Sequence, residues 1–243
     1  MFVGLGTVIN LLTIIVGAAI GIALGGRLPK RSQKMITDVL GLITLLGATS
    51  ALLPLWSNEF KDSLPDGSPL LLVLASMLIG GLLGTALKIE KRVENFGENL
   101  RKKFKASSDS PFVEGFVSAS LLFVIGPLAI LGSVSDGMSQ GLDQLILKSS
   151  LDFFAAMAFA STLGIGVMAS IIPVGIYQGF WTIIGFFAGS VLEQYQIDAM
   201  TISGGLMLVG IGLRLLNIKK ISVANLLPAL VIAPVLATVL HSI

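Results

Sequence analysis

Eight apolar runs, each close to the length of a membrane-crossing helix, dictate what this chain becomes. They cover residues 3–25, 36–56, 69–88, 112–134, 150–172, 177–193, 199–216 and 222–241. A helix needs roughly 20 mostly apolar residues to span the hydrocarbon layer of a bilayer. Inside lipid, every backbone N–H and C=O must find a partner within the protein, and a lone run satisfies this only as a helix. Charged residues make up 12% of the 243 positions, about half the share in a soluble domain. The expected fold is therefore all-α, a polytopic helical membrane protein of about eight transmembrane helices, with residues 1–243 forming one membrane domain. No basic stretch precedes the first run and no small-residue cleavage site stands out, so 3–25 reads as a retained span and not a signal peptide.

The Lys and Arg residues orient these spans. Arg27, Lys30, Arg31 and Lys34 follow the first run. Lys88, Lys91, Arg92, Arg101, Lys102, Lys103 and Lys105 follow the third, and Arg214, Lys219 and Lys220 follow the seventh. With eight spans, all of these fall on one side, and only Lys61 and Lys148 on the other. Cytoplasmic loops carry the excess of Lys and Arg, so both termini are expected outside. Adding or removing one span would scatter the positive loops over both faces. The net charge of +2 is too small to argue for nucleic acid. Between 88 and 105, Ile89, Val93, Phe96, Leu100 and Phe104 recur at helical spacing with charge on the other faces. This reads as an interfacial helix whose basic side meets anionic lipid, or as a solvated linker helix. Trp56 suits a membrane interface.

A second pattern repeats along the chain. Gly17 and Gly21, Gly80 and Gly84, and Gly185 and Gly189 form Gly-x-x-x-Gly pairs, each followed three residues on by Leu24, Leu87 or Leu192. Two glycines four apart bare one helix face and let another helix approach closely in lipid. They serve packing within the chain or a homodimer. Residues 117–126 align with 202–211, and Asp152 to Ala156 with Asn225 to Ala229. The chain then divides into a two-helix N-terminal unit (1–56), repeat A (69–172) and repeat B (177–241). Three spans per repeat is odd, which makes the repeat inverted, a form typical of secondary transporters. Any two Gly- and Leu-rich membrane helices align comparably, and that alternative stays open. Gly17, Gly21, Gly80 and Gly84 are expected near the cytoplasmic face, Gly185 and Gly189 near the outer one.

The opening Gly4-Leu5-Gly6-Thr7-Val8-Ile9-Asn10, the glycine pair followed by a basic loop, and Gly126-Pro127-Leu128-Ala129-Ile130-Leu131-Gly132-Ser133 before Asp136-Gly137 resemble the YdfK/YqgA-like bacterial inner-membrane proteins. The resemblance covers the whole chain. It implies the bacterial cytoplasmic (inner) membrane as the location and carries no assigned chemistry.

The chemistry available is narrow. His241 is the only histidine and there is no cysteine. No Ser-His-Asp set, no nucleotide loop and no His/Cys/carboxylate cluster is present, so no enzyme, no cofactor and no metal site is expected. The intramembrane polar residues are Asn10, Ser118, Ser120, Asp152, Ser161, Thr162, Gln178, Thr182 and Asn225. Such residues face an interior or a pathway. Asp152 and Asn225 hold matched positions in the repeat and either line a pathway or serve their helix N-termini. Ser133 and Asp136, in a small-residue stretch ending in Gly137, form a ligand cup or a helix C-cap and turn. The expected pathway residues are thus Asn10, Ser133, Asp136, Asp152 and Asn225, meeting where the fourth, fifth, seventh and eighth spans converge. The breaks at Gly126-Pro127, Gly164-Ile165-Gly166 and Gly210-Ile211-Gly212 are unwound binding segments or packing kinks. The leading functional expectation is a transporter of a small solute or monovalent ion. A lipid-binding scaffold and an oligomeric channel are the alternatives.

Overall fold

Close approach of backbones at glycine organises the helices. The computed structural model describes all residues but Met1, Asp109, Ser190 and Val191, with the backbone alone at Pro127 and Ala188. Along the chain run α1 (Leu5–Gly25), α2 (Lys30–Leu52) with a 3-10 turn at Leu53–Trp56, α3 (Asn58–Asp62), α4 (Ser68–Ala86), α5 (Ile89–Lys103) and α6 (Phe112–Val124). Then come α7 (Pro127–Gly137), α8 (Asp143–Leu163), α9 (Gly166–Ala169), α10 (Ile171–Ala188), α11 (Gln194–Leu215), a 3-10 turn at Val223–Leu226 and α12 (Ala229–His241). No strand occurs among the described residues. Among the described residues, seven segments are long and apolar enough to cross a membrane, and α6 with α7, bent by 62°, makes an eighth if the pair is one span.

The fifth and sixth spans lie further toward the N-terminus than expected. They run Asp143–Leu163 and Gly166–Phe187, against 150–172 and 177–193 expected from hydropathy. Lys148 belongs to the helix because its ammonium pairs with Asp152 one turn on. Gly164, at φ +71° and ψ −154°, breaks the chain in a conformation essentially reserved for glycine. Pro173 is not in the connection. It stands in the first turn of α10, where its missing N–H costs nothing.

The chain compacts into two units. The first comprises Met1–Leu40, Val93–Val124 and Leu128–Val191, the second Gly41–Arg92, Ile125–Pro127 and Leu192–Ile243. Neither coincides with the expected divisions 1–56, 69–172 and 177–241, because each unit takes helices from both halves of the chain.

In the first unit, Gly17, Gly21 and Gly25 of α1 lie against the backbone of Phe153, Met157 and Ser161 of α8. A Cβ at any of the three would run into the facing carbonyl oxygen. The steps of four match on both helices, so a stripe of three glycines, one longer than the sequence pair, seats α1 on α8. The other face of α1 exposes Val8, Leu12, Val16, Ile20 and Leu24, an apolar stripe suited to lipid. Gly185 of α10 meets the backbone of Val134 in the same way. Gly189 does not. It ends α10 at φ +71°, and a Cβ there would come no nearer than 3.9 Å, to Met138 Cε. The third glycine pair therefore packs with one residue and terminates with the other. Ser190 and Val191 of that motif lie outside the described residues.

The amphipathic stripe 88–105 is only partly free for lipid. Within the first unit, the Phe96 ring packs at a tilt against Phe116 at 5.8 Å and the Phe104 ring against Phe112 at 6.0 Å, and Leu100 is buried. Aromatic pairing with α6 thus holds this side, and Phe96 and Phe104 stay 45% exposed. On its solvated side Arg101 hydrogen-bonds Glu98 and holds that carboxyl below the usual carboxylate range.

In the second unit, Gly80 and Gly84 of α4 rest on the backbone of Ala229 and Asn225. Phe60, Leu64, Leu72, Val73, Ala199, Ile202, Ala233 and Ala237 form its apolar core. Gly17, Gly21, Gly80, Gly84 and Gly185 are all occupied within the chain, which leaves these faces closed to a homodimer.

A methyl group that meets a fixed carbonyl forces the helices apart. Gly21→Ala is expected to lower stability by about 1–3 kcal/mol. Gly47→Ala, with nothing within 4 Å of its Cβ, should be neutral or stabilise by up to about 1 kcal/mol. Thermal unfolding of the two variants in detergent checks the contrast.

Candidate functional site: a sealed polar cluster

Beyond Gly17 toward the N-terminus, the face of α1 that carries the glycines turns polar. Asn10 is fully buried and lies one helical turn from Gly6. Its Nδ2 donates to Asp152 Oδ2 of α8 at 3.0 Å and to Gln178 Oε1 of α10 at 3.4 Å. Lys148 Nζ donates to the same Asp152 oxygen, as the i, i+4 spacing on α8 allows. Its ammonium also stands 5.9 Å from the centroid of the Phe123 ring on α6. The hydroxyls of Thr7 and Thr182 lie 3.5 Å apart, and Thr182 in turn donates to the Gln178 carbonyl at 2.9 Å.

One turn further, Asp136 of α7 accepts from the Gly6 N–H at 2.9 Å and the Gly4 N–H at 3.3 Å. The first N–H groups of a helix have no partner within it, and the helix dipole favours an anion there. Asp136 therefore anchors the start of α1. Its stretch also ends α7 at Gly137. Ser133, on the same helix, is fully buried.

The cluster is not fully paired. Asn10 Oδ1, Gln178 Nε2 and the hydroxyls of Ser118, Ser133 and Ser149 are buried without a hydrogen-bond partner. Unpaired polar groups in an apolar medium are costly. Among the described residues of this unit the buried charges are Asp136, Asp152 and Lys148, two carboxylates to one ammonium. No Lys or Arg among the described residues pairs with Asp136.

Of the expected pathway residues, Asn10, Ser133, Asp136 and Asp152 come together in the first unit. Asn225 does not join them. It lies in the second unit, where its Oδ1 accepts from the Glu90 N–H at 2.8 Å and caps the start of α5. Glu90 in turn receives Arg214 at 3.1 Å and the Ala224 N–H at 2.8 Å. The place that Asn225 was to fill opposite Asp152 is taken by Asn10 and Gln178. Ser120, Ser161 and Thr162 donate back to carbonyls of their own helices, a local use with no part in the site. Lys148 was assigned to an outer loop because it is charged. The signal that marks it as buried is a lysine four residues ahead of Asp152 within an otherwise apolar helical run. No group of three His, Cys, Asp or Glu side chains is placed to hold a metal among the described residues.

Apolar exteriors, membrane-length helices and one polar cluster sealed among them define a polytopic helical membrane protein. The chain belongs to the family described as protein of unknown function DUF554, whose profile matches residues 5–238. It is 32% identical over 237 residues to the uncharacterised membrane protein YdfK of Bacillus subtilis, covering 98% of this chain and 97% of that one. It is 34% identical over 236 residues to the uncharacterised protein YqgA of Escherichia coli, covering 94% of each. No solved structure matches.

If Asn225 acts as a cap, its loss is local. Asn225→Ala should cost about 1 kcal/mol and speed hydrogen exchange at the Glu90 amide. Exchange at the amides of α1 should stay as it is, and mass spectrometry of the exchanged protein reads both.

Proposed function

We propose that the protein is a transporter of a small polar solute or a monovalent ion, with its binding site at Asn10, Asp152 and Gln178. The observation that carries this reading is the pair of unpartnered groups Asn10 Oδ1 and Gln178 Nε2, beside the Asp152 carboxylate on helices of membrane-spanning length. A core built for stability alone would have paired or replaced them. The bend between α6 and α7 and the break at Gly164 lie in helices that contribute to the cluster, and interrupted helices are a recurring device of transporters. One paired carboxylate argues against a chain of carboxylates relaying protons.

The same reading places the protein in the bacterial inner membrane with both termini outside. Counting α6 and α7 as one crossing keeps every basic loop on the cytoplasmic side, whereas a re-entrant pair would move Lys219 and Lys220 to the other face. Lys102, Lys103 and Lys105 are exposed beside the half-exposed Phe104, which suits contact with anionic lipid headgroups. A protein whose role ended at that contact would scaffold lipid and transport nothing.

The natural absence of cysteine makes orientation easy to read. In intact cells, a membrane-impermeant thiol reagent should label a single cysteine at Ser63→Cys. It should reach Ser107→Cys and Asn217→Cys only after permeabilisation. Labelling of Asn217→Cys in intact cells would mean that α6 and α7 do not cross.

Transport itself is tested by uptake into proteoliposomes over a panel of small polar solutes and monovalent cations. At least one should enter faster than into protein-free vesicles. Its rate should fall tenfold or more, a loss of about 1.4 kcal/mol or greater in transition-state terms, in Asp152→Ala and in Asn10→Ala. It should stay within about twofold in Asn225→Ala. A rate indifferent to the first two changes would remove the site.

A further inference from the structure

Lys148 is a cation that the chain brings to its own carboxylate. The side chain is buried, pairs with Asp152, and faces the ring of Phe123 at 5.9 Å. A carboxylate and an aromatic face are what an ammonium or alkali cation seeks in a desolvated site. Next to them stands a free acceptor, Asn10 Oδ1, on a side chain already bonded to Asp152. Beyond it is a free donor, Gln178 Nε2, on the side chain that receives Asn10. The surroundings favour positive charge, since Asp136 is a second buried carboxylate about one helical turn away along α1. Lysine suits temporary occupancy. Its charge rides on four flexible carbons and can leave Asp152 by rotation of the side chain alone.

Resting on the reading of this cluster as the solute site, we infer that Lys148 is a tethered stand-in for the solute. The solute is a monovalent cation, an organic primary ammonium or an alkali ion, and it binds to Asp152 and Asn10 as Lys148 moves away. An ammonium carrying a nearby hydroxyl oxygen also meets Gln178 Nε2, so an amino alcohol binds more tightly than methylammonium, and methylammonium more tightly than sodium. Without solute, Lys148 keeps Asp152 neutralised and the site closed to leak.

Chemical rescue tests this. Purified Lys148→Gln leaves Asp152 buried without its cation, and its melting temperature should fall. Ethanolamine or methylammonium chloride should raise it again, saturably, by about 5 °C, and sodium chloride by less. Tetramethylammonium, too large for the lysine's place, should do nothing. The double variant Lys148→Gln with Asp152→Asn should be stable and indifferent to all four salts. An equal gain with tetramethylammonium, an equal gain in the double variant, or no gain at all overturns the proposal. If Lys148→Gln aggregates on extraction, the salts are included from that step onward. Monodisperse protein with methylammonium and aggregate with tetramethylammonium supports the cation site. Aggregate in every salt, while the double variant is monodisperse, overturns it. Rescue without uptake by the wild-type protein leaves the cation site and removes transport. Asp152-dependent uptake without rescue leaves transport and removes the cation.

Discussion

The contact of α1 with α8 is the one on which the first unit depends. In lipid, helices gain little from burying apolar side chains, because the tails outside are as apolar as the core. What remains is close packing of backbone on backbone and the pairing of polar groups. Gly17, Gly21 and Gly25 supply the first against Phe153, Met157 and Ser161. By bringing the two axes together, they also carry Asn10 to Asp152. A bulkier stripe would hold the helices too far apart for a side chain as short as asparagine to reach across. The packing motif and the polar cluster are therefore two parts of one helix pair.

The cluster is uneven in how its groups are satisfied. Asp136 has two backbone donors at a helix start. Asp152 shares one oxygen between an amide and an ammonium, and the atoms just beyond them, Asn10 Oδ1 and Gln178 Nε2, are left open. Glu90 in the second unit offers a contrast. It meets Arg214 and the Ala224 N–H, while its own N–H is held by Asn225. One set of polar groups is closed and holds a joint together, and the other is left incomplete.

Much of this was legible in the sequence, and the limits were physical. A bilayer demands long apolar helices, so their class, and every span but the bent α6–α7 pair, could be read from residue type alone. Asn10 and Asp152 stood out because polar side chains are rare in such runs. Lys148 was lost because hydropathy counts a lysine as a loop residue unless its partner one turn away is considered. Asn225 was paired with Asp152 by alignment, yet alignment cannot tell an amide in a site from one that caps a neighbouring helix. Gly189 looked identical to Gly185, and only the backbone angle at the helix end separates packing from termination. The interleaving of helices into two units left no local trace, since a glycine face does not specify which helix it receives.

A stripe of equivalent glycines has a property that a knobbed interface lacks. Three seats spaced by four residues on both helices look similar after a shift of four residues, about 6 Å. Packing alone therefore leaves α1 close to degenerate along its own axis, like a rail that can stop at more than one notch. The polar contacts break the tie. Asp136 grips the end of α1 and Asn10 meets Asp152 at one setting only. These few hydrogen bonds act as the pins that fix the register, and loss of the Asp152 contact would leave only the grip of Asp136 on the start of α1 to hold it.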